Sequence, residues 1–324
     1  MTKATRALCL LMFSAPGWGQ AASPAPAQDA DQPQQQVTTL KVVTRLVAIS
    51  AVVKTKDGTA QEGLTKDDFV LKQDGKEVPI HYFSRGSEVP LSFALMVDTS
   101  GSQETFIGDE ALASDVFFET MLGRKEDRAM LVQFDTTVLQ LKSMTNSASA
   151  LHFALSRMSQ RAAAKGGTLL YDAVYVVAKD ALANQTGRKA MVILTDGGDV
   201  GSRRSLAEAI EQAQRADVQV YSILYSMFKG LTGSNSGLPP RADPGLEALE
   251  KLSESTGGHV FTVSRTTSLR DIFAQIADDL RLQYELGYNP PPDTRPNSYH
   301  KLELRAKDKK LTVQARKGFF ERLD

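Results

Sequence analysis

The chain has 324 residues, which is enough for about two domains of ordinary size. It carries 38 basic and 38 acidic residues, so its formal net charge is zero and no charge field favours a nucleic acid or an anionic membrane as partner. The four histidines are widely scattered and show no zinc-ligand spacing. We therefore expect neither a nucleic-acid-binding protein nor a protein that binds zinc through one of the common ligand spacings.

The first segment has the pattern of a secretory signal peptide. Lys3 and Arg6 precede an apolar stretch at residues 7–15, and small residues follow it. No stretch of the chain approaches the roughly 18 apolar residues of a transmembrane helix. We predict a signal peptide at residues 1–22, a secreted or periplasmic mature protein and no stable membrane insertion. Because Cys9 is the single cysteine, the mature protein would contain no disulfide and would depend on packed cores.

A polar linker and then a β-rich segment follow the signal peptide. Residues 23–37 are rich in Pro and Gln and have almost no apolar bulk, so we predict a disordered linker. Residues 38–88 begin with a run dominated by Val, Leu and Ile and contain two hairpin-turn signals, Asp57-Gly58 and Asp74-Gly75. We therefore predict an N-terminal β segment at residues 38–88.

Apolar strands alternate with amphipathic helices in the middle of the chain. This alternation predicts an α/β domain at residues 89–282, with a doubly wound, mostly parallel six-stranded sheet flanked by helices. The uninterrupted apolar runs indicate strands that are buried on both faces. The predicted strands lie at residues 91–97, 129–134, 138–141, 190–195, 218–224 and 259–263.

The β pattern returns after residue 282. Three short apolar runs, separated by prolines and by lysines, predict strands at residues 284–288, 299–304 and 311–315. Each end of the chain alone offers only a few strands with exposed edges. We therefore predict that the C-terminal β segment, residues 283–324, pairs with the N-terminal β segment in a small β-sandwich-like module.

Three oxygen-bearing side chains follow the first predicted strand of the α/β domain. Asp98, Ser100 and Ser102 alternate along an extended turn, so all three can face one point. Ligands of open α/β sheets bind at this carboxyl edge of the strands. One carboxylate and two hydroxyls suit a hard cation that prefers oxygen ligands. A cluster of helix N-cap residues is the other explanation that the residue types allow.

Two later segments supply further oxygen ligands at strand or helix ends. Thr168 follows two glycines at the start of a predicted amphipathic helix. Asp196 follows the buried strand predicted at residues 190–195 and is itself followed by two glycines. Asp172 and Asp199 lie close by in sequence and could support a metal through water or orient the residues that bind it, although Asp172 could equally favour the helix dipole.

These segments together resemble the von Willebrand factor type A domain and its metal-ion-dependent adhesion site. The family pattern is DxSxS, then a separated Thr, then an Asp after the fourth strand. The resemblance implies that hydroxyls contact the metal directly or nearly so, and that the two carboxylates mostly hold its waters. The corresponding residues are Asp98, Ser100, Ser102, Thr168 and Asp196. Residues 63–76 and 286–320 further resemble the flanking sequences of a secreted bacterial family of such proteins, common in acidobacteria.

The resemblance and the ligand types together predict a secreted, metal-dependent protein-binding module of the adhesion type. Because the ligand set has few charged groups, it does not neutralise a divalent cation and leaves some of its coordination positions open. An Asp or Glu carboxylate of a protein partner can fill such a position. Mg²⁺ suits the set best because it retains waters in a compact octahedron, and Mn²⁺ or Ca²⁺ are possible substitutes. Residues 226–244 are rich in Gly and Pro, and we interpret them as a partner-contacting or gating loop beside the metal face, with a passive insertion as the alternative.

Other functions receive less support from the residues. A haloacid-dehalogenase-like hydrolase would need a second Asp where Ser100 stands, and a serine hydrolase would need a Gly-x-Ser-x-Gly elbow with a later His. We therefore predict that the protein is not an enzyme, with a metal-dependent hydrolase as a remote alternative. A structural scaffold with a vestigial metal site is the main alternative. The partner's identity and the oligomeric state stay open.

Overall fold

The computed structural model of this protein describes residues 46–85, 89–100, 114, 116–158, 166–225, 243–264, 266–295 and 297–321. The predicted signal peptide, the predicted linker, Ser102 and residues 226–242 of the predicted loop lie outside this part of the chain. Three β-sheets and the helices that cover the largest of them form the described fold.

The strands of the described regions fall into the three sheets in chain order. They are β1 (Val47–Lys54), β2 (Phe69–Gln73), β3 (Lys76–Glu77), β4 (Tyr82–Arg85), β5 (Leu91–Asp98), β6 (Arg128–Phe134), β7 (Val138–Thr145), β8 (Arg188–Thr195), β9 (Val218–Leu224), β10 (Val260–Thr262), β11 (Tyr284–Tyr288), β12 (Tyr299–Ala306), β13 (Thr312–Ala315) and β14 (Gly318–Phe320).

Helices connect most strands of the central sheet. The α-helices are α1 (Ala148–Ser156), α2 (Leu170–Val176), α3 (Leu206–Arg215), α4 (Pro244–Thr256) and α5 (Leu269–Arg281). A π-helical turn at Val177–Leu182 extends α2, a 3₁₀ turn lies at Lys66–Asp68, and residues 116–121 are also helical. Among the described helices, none has both the length and the apolar character needed to cross a membrane.

The central sheet is the predicted six-stranded, mostly parallel sheet. Its strand order is β10-β9-β8-β5-β6-β7, and only β7 runs antiparallel to its neighbour. Every residue of β5 and of β8 is buried, as expected for strands covered on both faces. Strand β7 is longer than predicted and β10 is shorter, whereas β9 has the predicted bounds.

Successive residues of each strand point to opposite faces of this sheet. Since the central strands are largely apolar, both faces are apolar and helices cover both. On one face, Phe93 and Leu95 pack with residues 116–121, α1 and α5. On the other face, Ala94 and Met96 pack with α2, α3 and α4. The two apolar clusters thus hold the sheet between two helical layers and fix the ends of its strands.

The strand order changes direction beside β5. From β5 the chain adds β6 and β7 on one side, and it then crosses to the other side to add β8, β9 and β10. Such a reversal leaves a crevice at the carboxyl ends of the two strands that flank it. Here those ends are Asp98 and Thr195, so the fold places the predicted ligand segments beside the crevice.

Strands from near both ends of the chain form two smaller antiparallel sheets. Their orders are β13-β1-β11-β4 and β14-β12-β2-β3, so β11 lies between β1 and β4, and β12 lies between β14 and β2. The two sheets share one apolar cluster, which includes Ile49, Leu71, Leu286 and Leu302. The boundaries predicted from the sequence, at residues 38–88, 89–282 and 283–324, remain predictions.

Polar contacts join the small sheets to the α/β layers, and residues 44–324 form one compact unit. Lys54 of β1 forms an ion pair with Asp279 of α5 at 2.6 Å, and Arg316 pairs with Asp217 at 2.8 Å. Helix α4 ends at Gly257, which has φ +89° and accepts no side chain, because a Cβ there would lie 2.6 Å from the Arg316 nitrogen.

Candidate metal centre

Asp98 is the last residue of β5, and its side chain is fully buried. Its Oδ2 accepts a hydrogen bond from the Thr195 hydroxyl at 2.7 Å, and its Oδ1 accepts one from the Ser100 N–H at 2.9 Å. The Thr195 hydroxyl in turn accepts from the Gly197 N–H at 3.1 Å. The carboxylate is therefore held in one orientation by the ends of two adjacent parallel strands.

Asp196 follows the end of β8 and is partly exposed. Its Oδ1 accepts a hydrogen bond from the Gly198 N–H at 3.0 Å. Gly197 between them has φ +79°, a conformation that residues with a side chain rarely adopt. The loop after β8 thus turns sharply and leaves the Asp196 carboxylate at the crevice beside Asp98.

Thr168 reaches the same loop through backbone pairing. Its N–H donates to the Val200 carbonyl and its carbonyl accepts from the Val200 N–H, both at 2.9 Å. The next N–H, of Leu169, donates to the Asp135 carbonyl at 2.8 Å. These bonds tie the segment before α2 both to the β8 loop and to the turn after β6. Thr168 itself is buried.

The electrostatics of this crevice favour a cation. Burial, with a smaller contribution from the neighbouring Asp196 carboxylate, raises the pKa of Asp98 to about 6, although hydrogen bonds from Thr195 and Ser100 oppose the shift. Within the described residues, neither carboxylate forms a salt bridge with a basic side chain. Among the described residues, the two carboxylates therefore lie near each other without a basic ion-pair partner, and their oxygens together with nearby hydroxyls form a donor set that suits a hard cation.

The donor set contains few charged ligands. In the part of the chain that the structure describes, no three His, Cys, Asp or Glu side chains converge on one point. A cation at this crevice would therefore depend on hydroxyl and water ligands in addition to Asp98 and Asp196. The structure brings the Asp98–Ser100 segment, Thr168 and Asp196 to one edge of the sheet; Ser102 lies outside the described residues.

Asp172 and Asp199 use their carboxylates to hold the loop after β8. Asp172 accepts the backbone N–H groups of Arg203 and Arg204 at 3.0 and 2.9 Å. Asp199 accepts the Tyr171 N–H at 3.0 Å and the Ser202 hydroxyl at 2.6 Å. The structure thus shows contacts that order the loop beside Thr168, a role that the sequence interpretation did not name for these two residues.

The sequence interpretation did not assign a role to Thr195 or to Val200. Thr195 is the hydroxyl donor that orients Asp98, and its position directly before Asp196 at a strand end is the signal that could have identified it. Val200 has a side chain that is 60% exposed although its backbone is fixed to Thr168. The exposed Val200 side chain is therefore an apolar surface, held in place by its backbone, at the rim of the crevice.

Comparison with known proteins gives a match to one family. The model of the von Willebrand factor type A domain matches residues 94–275. Among curated proteins, none matches the chain significantly.

Several solved structures are similar to part of the chain. BatB from Bacteroides thetaiotaomicron is 17% identical, covers 58% of this chain and 98% of its own, and has a TM-score of 0.45. The vWF domain of the type V pili tip protein Mfa5 from Porphyromonas gingivalis is 14% identical, with 59% and 94% covered and a TM-score of 0.45. Proximal thread matrix protein 1 from the mussel byssus, with a zinc-occupied MIDAS motif, is 15% identical, with 60% and 49% covered and a TM-score of 0.44.

Proposed function

This chain belongs to the von Willebrand factor type A domain family, and from that premise we propose that it is a secreted protein-binding module that depends on a divalent cation. Domains of this family often take part in protein binding and adhesion and are mostly not enzymes. The cation would be held by the five residues that match the family pattern, namely Asp98, Ser100, Ser102, Thr168 and Asp196.

One observation carries this proposal. Asp98 and Asp196 meet at the reversal point of the sheet, beside the segments of Ser100 and Thr168, and no basic side chain of the described regions forms an ion pair with either carboxylate. Leaving two adjacent carboxylates without a counter-charge costs free energy, which a divalent cation would offset. The Thr195 hydroxyl and the Ser100 N–H keep Asp98 oriented before any cation arrives.

Mg²⁺ is the cation that the donor types favour. It prefers oxygen ligands and retains several waters, whereas Ca²⁺ usually takes more direct carboxylate and carbonyl ligands. Mn²⁺ accepts similar ligands and would substitute in vitro. When bound, the cation would supply an open coordination position to a carboxylate oxygen of a protein partner, and Thr168 and Val200 would form the adjoining contact surface.

The proposed location rests on the first 22 residues, whose pattern is that of a signal peptide. A secreted or periplasmic protein fits the secreted bacterial family that the two flanking segments resemble. Residues 226–242 come shortly before the N-terminal end of α4, and that end supports the loop of Asp196. This position in the chain favours a role for residues 226–242 in the choice of partner. A structural scaffold without a working metal site is the alternative that the experiment below separates.

Calorimetric titration with MgCl₂, together with melting temperatures in Mg²⁺ and in EDTA, tests the metal site. The wild type should bind one Mg²⁺ and melt at a higher temperature in Mg²⁺. Asp98→Ala should remain folded but lose this rise. Asp135→Asn is the matched control, because Asp135 lies at the same sheet edge but holds the Thr137 N–H at 2.8 Å. If the wild type binds no divalent cation, the proposed metal site is wrong and the structural scaffold remains as the explanation.

A pull-down from the native envelope fraction tests the partner. Binding should require Mg²⁺ and be lost in EDTA, and neutralising one Asp or Glu of the recovered partner should weaken it far more than neutralising its neighbours. Binding that survives both EDTA and Asp196→Ala would show that the partner contacts a different surface.

A further inference from the structure

A second candidate binding site lies in the small sheets, outside the metal centre. A groove of about 620 Å³ runs beside β13 and the adjoining ends of β12 and β2. Aliphatic side chains, including Val70, Leu304 and Leu311, form part of its lining. The charged residues that line it are Arg305, Lys307 and Lys309, and none of its lining residues is acidic. The groove therefore combines an apolar surface with a cationic rim.

The cations of this rim are only partly compensated. The Arg305 Nε lies 3.1 Å from the Glu303 carboxylate, and Lys307 lies within electrostatic reach of Asp68. Lys309 forms no ion pair within the described residues and is exposed. A ligand that brings carboxylates to the rim would therefore find positive charge still available.

The strand that borders the groove is an edge strand. β13 pairs with β1 through residues Thr312–Ala315, and no strand of the described regions pairs with its other side. An edge of this kind offers backbone N–H and C=O groups in register for one more strand. An extended peptide can pair with both the N–H and the C=O groups along the edge, whereas an acyl chain has no hydrogen-bonding groups and a lipid phosphate can only accept from the N–H groups.

From these three features we propose that the groove binds an extended acidic peptide segment of a partner protein as an added strand beside β13. Alternate aliphatic side chains of the peptide pack on Val70 and Leu311, and the intervening carboxylates face Lys309 and Lys307. Lysines next to an edge strand also hinder pairing with basic strands. The same residues thus select for an acidic partner and against a basic one. This site needs no metal and is separate from the function proposed above.

Fluorescence anisotropy with a fluorescein-labelled hexapeptide of alternating Asp and Val tests the proposal, with the full chain in EDTA. The wild type should bind this peptide and should not bind a peptide of alternating Lys and Val. Lys309→Glu should weaken binding by about fivefold, the upper end of the range expected for an exposed charge pair. Lys310→Glu is the matched control, because Lys310 is the next residue and does not line the groove. It should change the affinity less than about twofold on the same scale.

Two further measurements separate this proposal from its rivals. Hydrogen exchange should show new protection of the β13 amides when the peptide is bound, and Val70→Asp should abolish binding while the melting temperature stays near that of the wild type. Asp98→Ala should leave peptide binding unchanged. Equal losses in the two lysine variants would overturn the proposal. Binding to vesicles of dioleoylphosphatidylglycerol without any binding of the acidic peptide would also overturn it and would point to a lipid surface.

Discussion

Gly197 and Gly245 pack backbone against backbone. A Cβ on Gly197 would lie 2.7 Å from the carbonyl carbon of Gly245, and a Cβ on Gly245 would lie 2.8 Å from the Asp196 carbonyl oxygen. Heavy atoms cannot approach so closely, so neither position accepts a side chain without a shift of the backbone. The first turn of α4 thus supports the loop that carries Asp196.

Gly197→Ala should therefore destabilise the protein and disturb the crevice. The substitution forces alanine into φ +79° and also against Gly245, so we expect a loss of about 2–4 kcal/mol in the free energy of unfolding. Gly58→Ala is the control, because Gly58 has φ +87° but nothing lies within 4 Å of its Cβ position. It should cost about 1 kcal/mol. Denaturant unfolding measures both, and equal losses would contradict the role given to the Gly245 contact.

Asp172→Ala should loosen the loop after β8 and leave metal binding largely intact. The variant leaves the Arg203 and Arg204 N–H groups without their acceptor, which should cost about 1–2 kcal/mol of stability. Hydrogen exchange at residues 199–204 should become faster. Asp180→Ala, on the exposed side of the same helical run, should change neither property. If Asp172→Ala abolished Mg²⁺ binding as completely as Asp98→Ala, Asp172 would belong to the metal site.

His300 should make the stability of the small sheets depend on pH. Its Nδ1 lies 2.7 Å from the Asp74 carboxylate, and its Nε2 lies 3.0 Å from the Arg295 carbonyl. Burial lowers the pKa of His300, but the hydrogen bonds to Asp74 and to Arg295 outweigh it and raise that pKa above 6.5. Because the folded protein holds the proton more tightly, this stabilisation is fully present below pH 6.5 and is lost as pH rises through the raised pKa.

His300→Asn should remove this loss. Between about pH 6 and 8.5 the wild type should lose up to about 1 kcal/mol more stability than the variant, a small effect because Asp74 is about half exposed. His81→Asn, at an exposed histidine that directly precedes β4, is the control for a histidine substitution as such and should not remove the loss that His300→Asn removes. Parallel unfolding curves for wild type and His300→Asn across this range would contradict the prediction. A His300 resonance that titrates below pH 6.5 in NMR would do the same.

Deletion of residues 284–324 should unfold the N-terminal strands. β1 pairs with β11 on one side and with β13 on the other, so the deletion removes both of its neighbours. β2 keeps only the two-residue β3 as a partner. Hydrogen exchange in the deletion variant should show loss of protection at Val47–Lys54. Amides that stay as protected there as in the full chain would show that the two segments are independent.

The architecture of the central sheet was predictable because each of its strands carries its own signal. β5, β6, β8 and β9 are short apolar runs, and burial on both faces requires that composition. β7 continues past its prediction because an edge strand is exposed on one side, so its polar residues Lys142 and Ser143 gave no indication of a strand.

The candidate site was only partly predictable. Asp98 and Asp196 each follow an apolar strand, and parallel strands end at the same edge, so their proximity could be inferred from order alone. The bonds of Asp172 to the backbone of Arg203 and Arg204 depend on loop geometry that residue types do not specify. His300 and Asp74 are likewise 226 residues apart, and only the pairing of β12 with β2 brings them together.

Helix α4 has a length that the molecule cannot vary. It has 13 residues and meets a glycine contact at each end, with Gly245 against the Asp196 loop and Gly257 against Arg316. One inserted residue would move the far end by about 1.5 Å and rotate it by about 100°, which breaks one of the two contacts. Helices on the outer layer of a domain usually tolerate such changes at their ends. In this protein the length of α4 sets the distance between the two glycine contacts. Relatives that keep both glycines should therefore keep eleven residues between them.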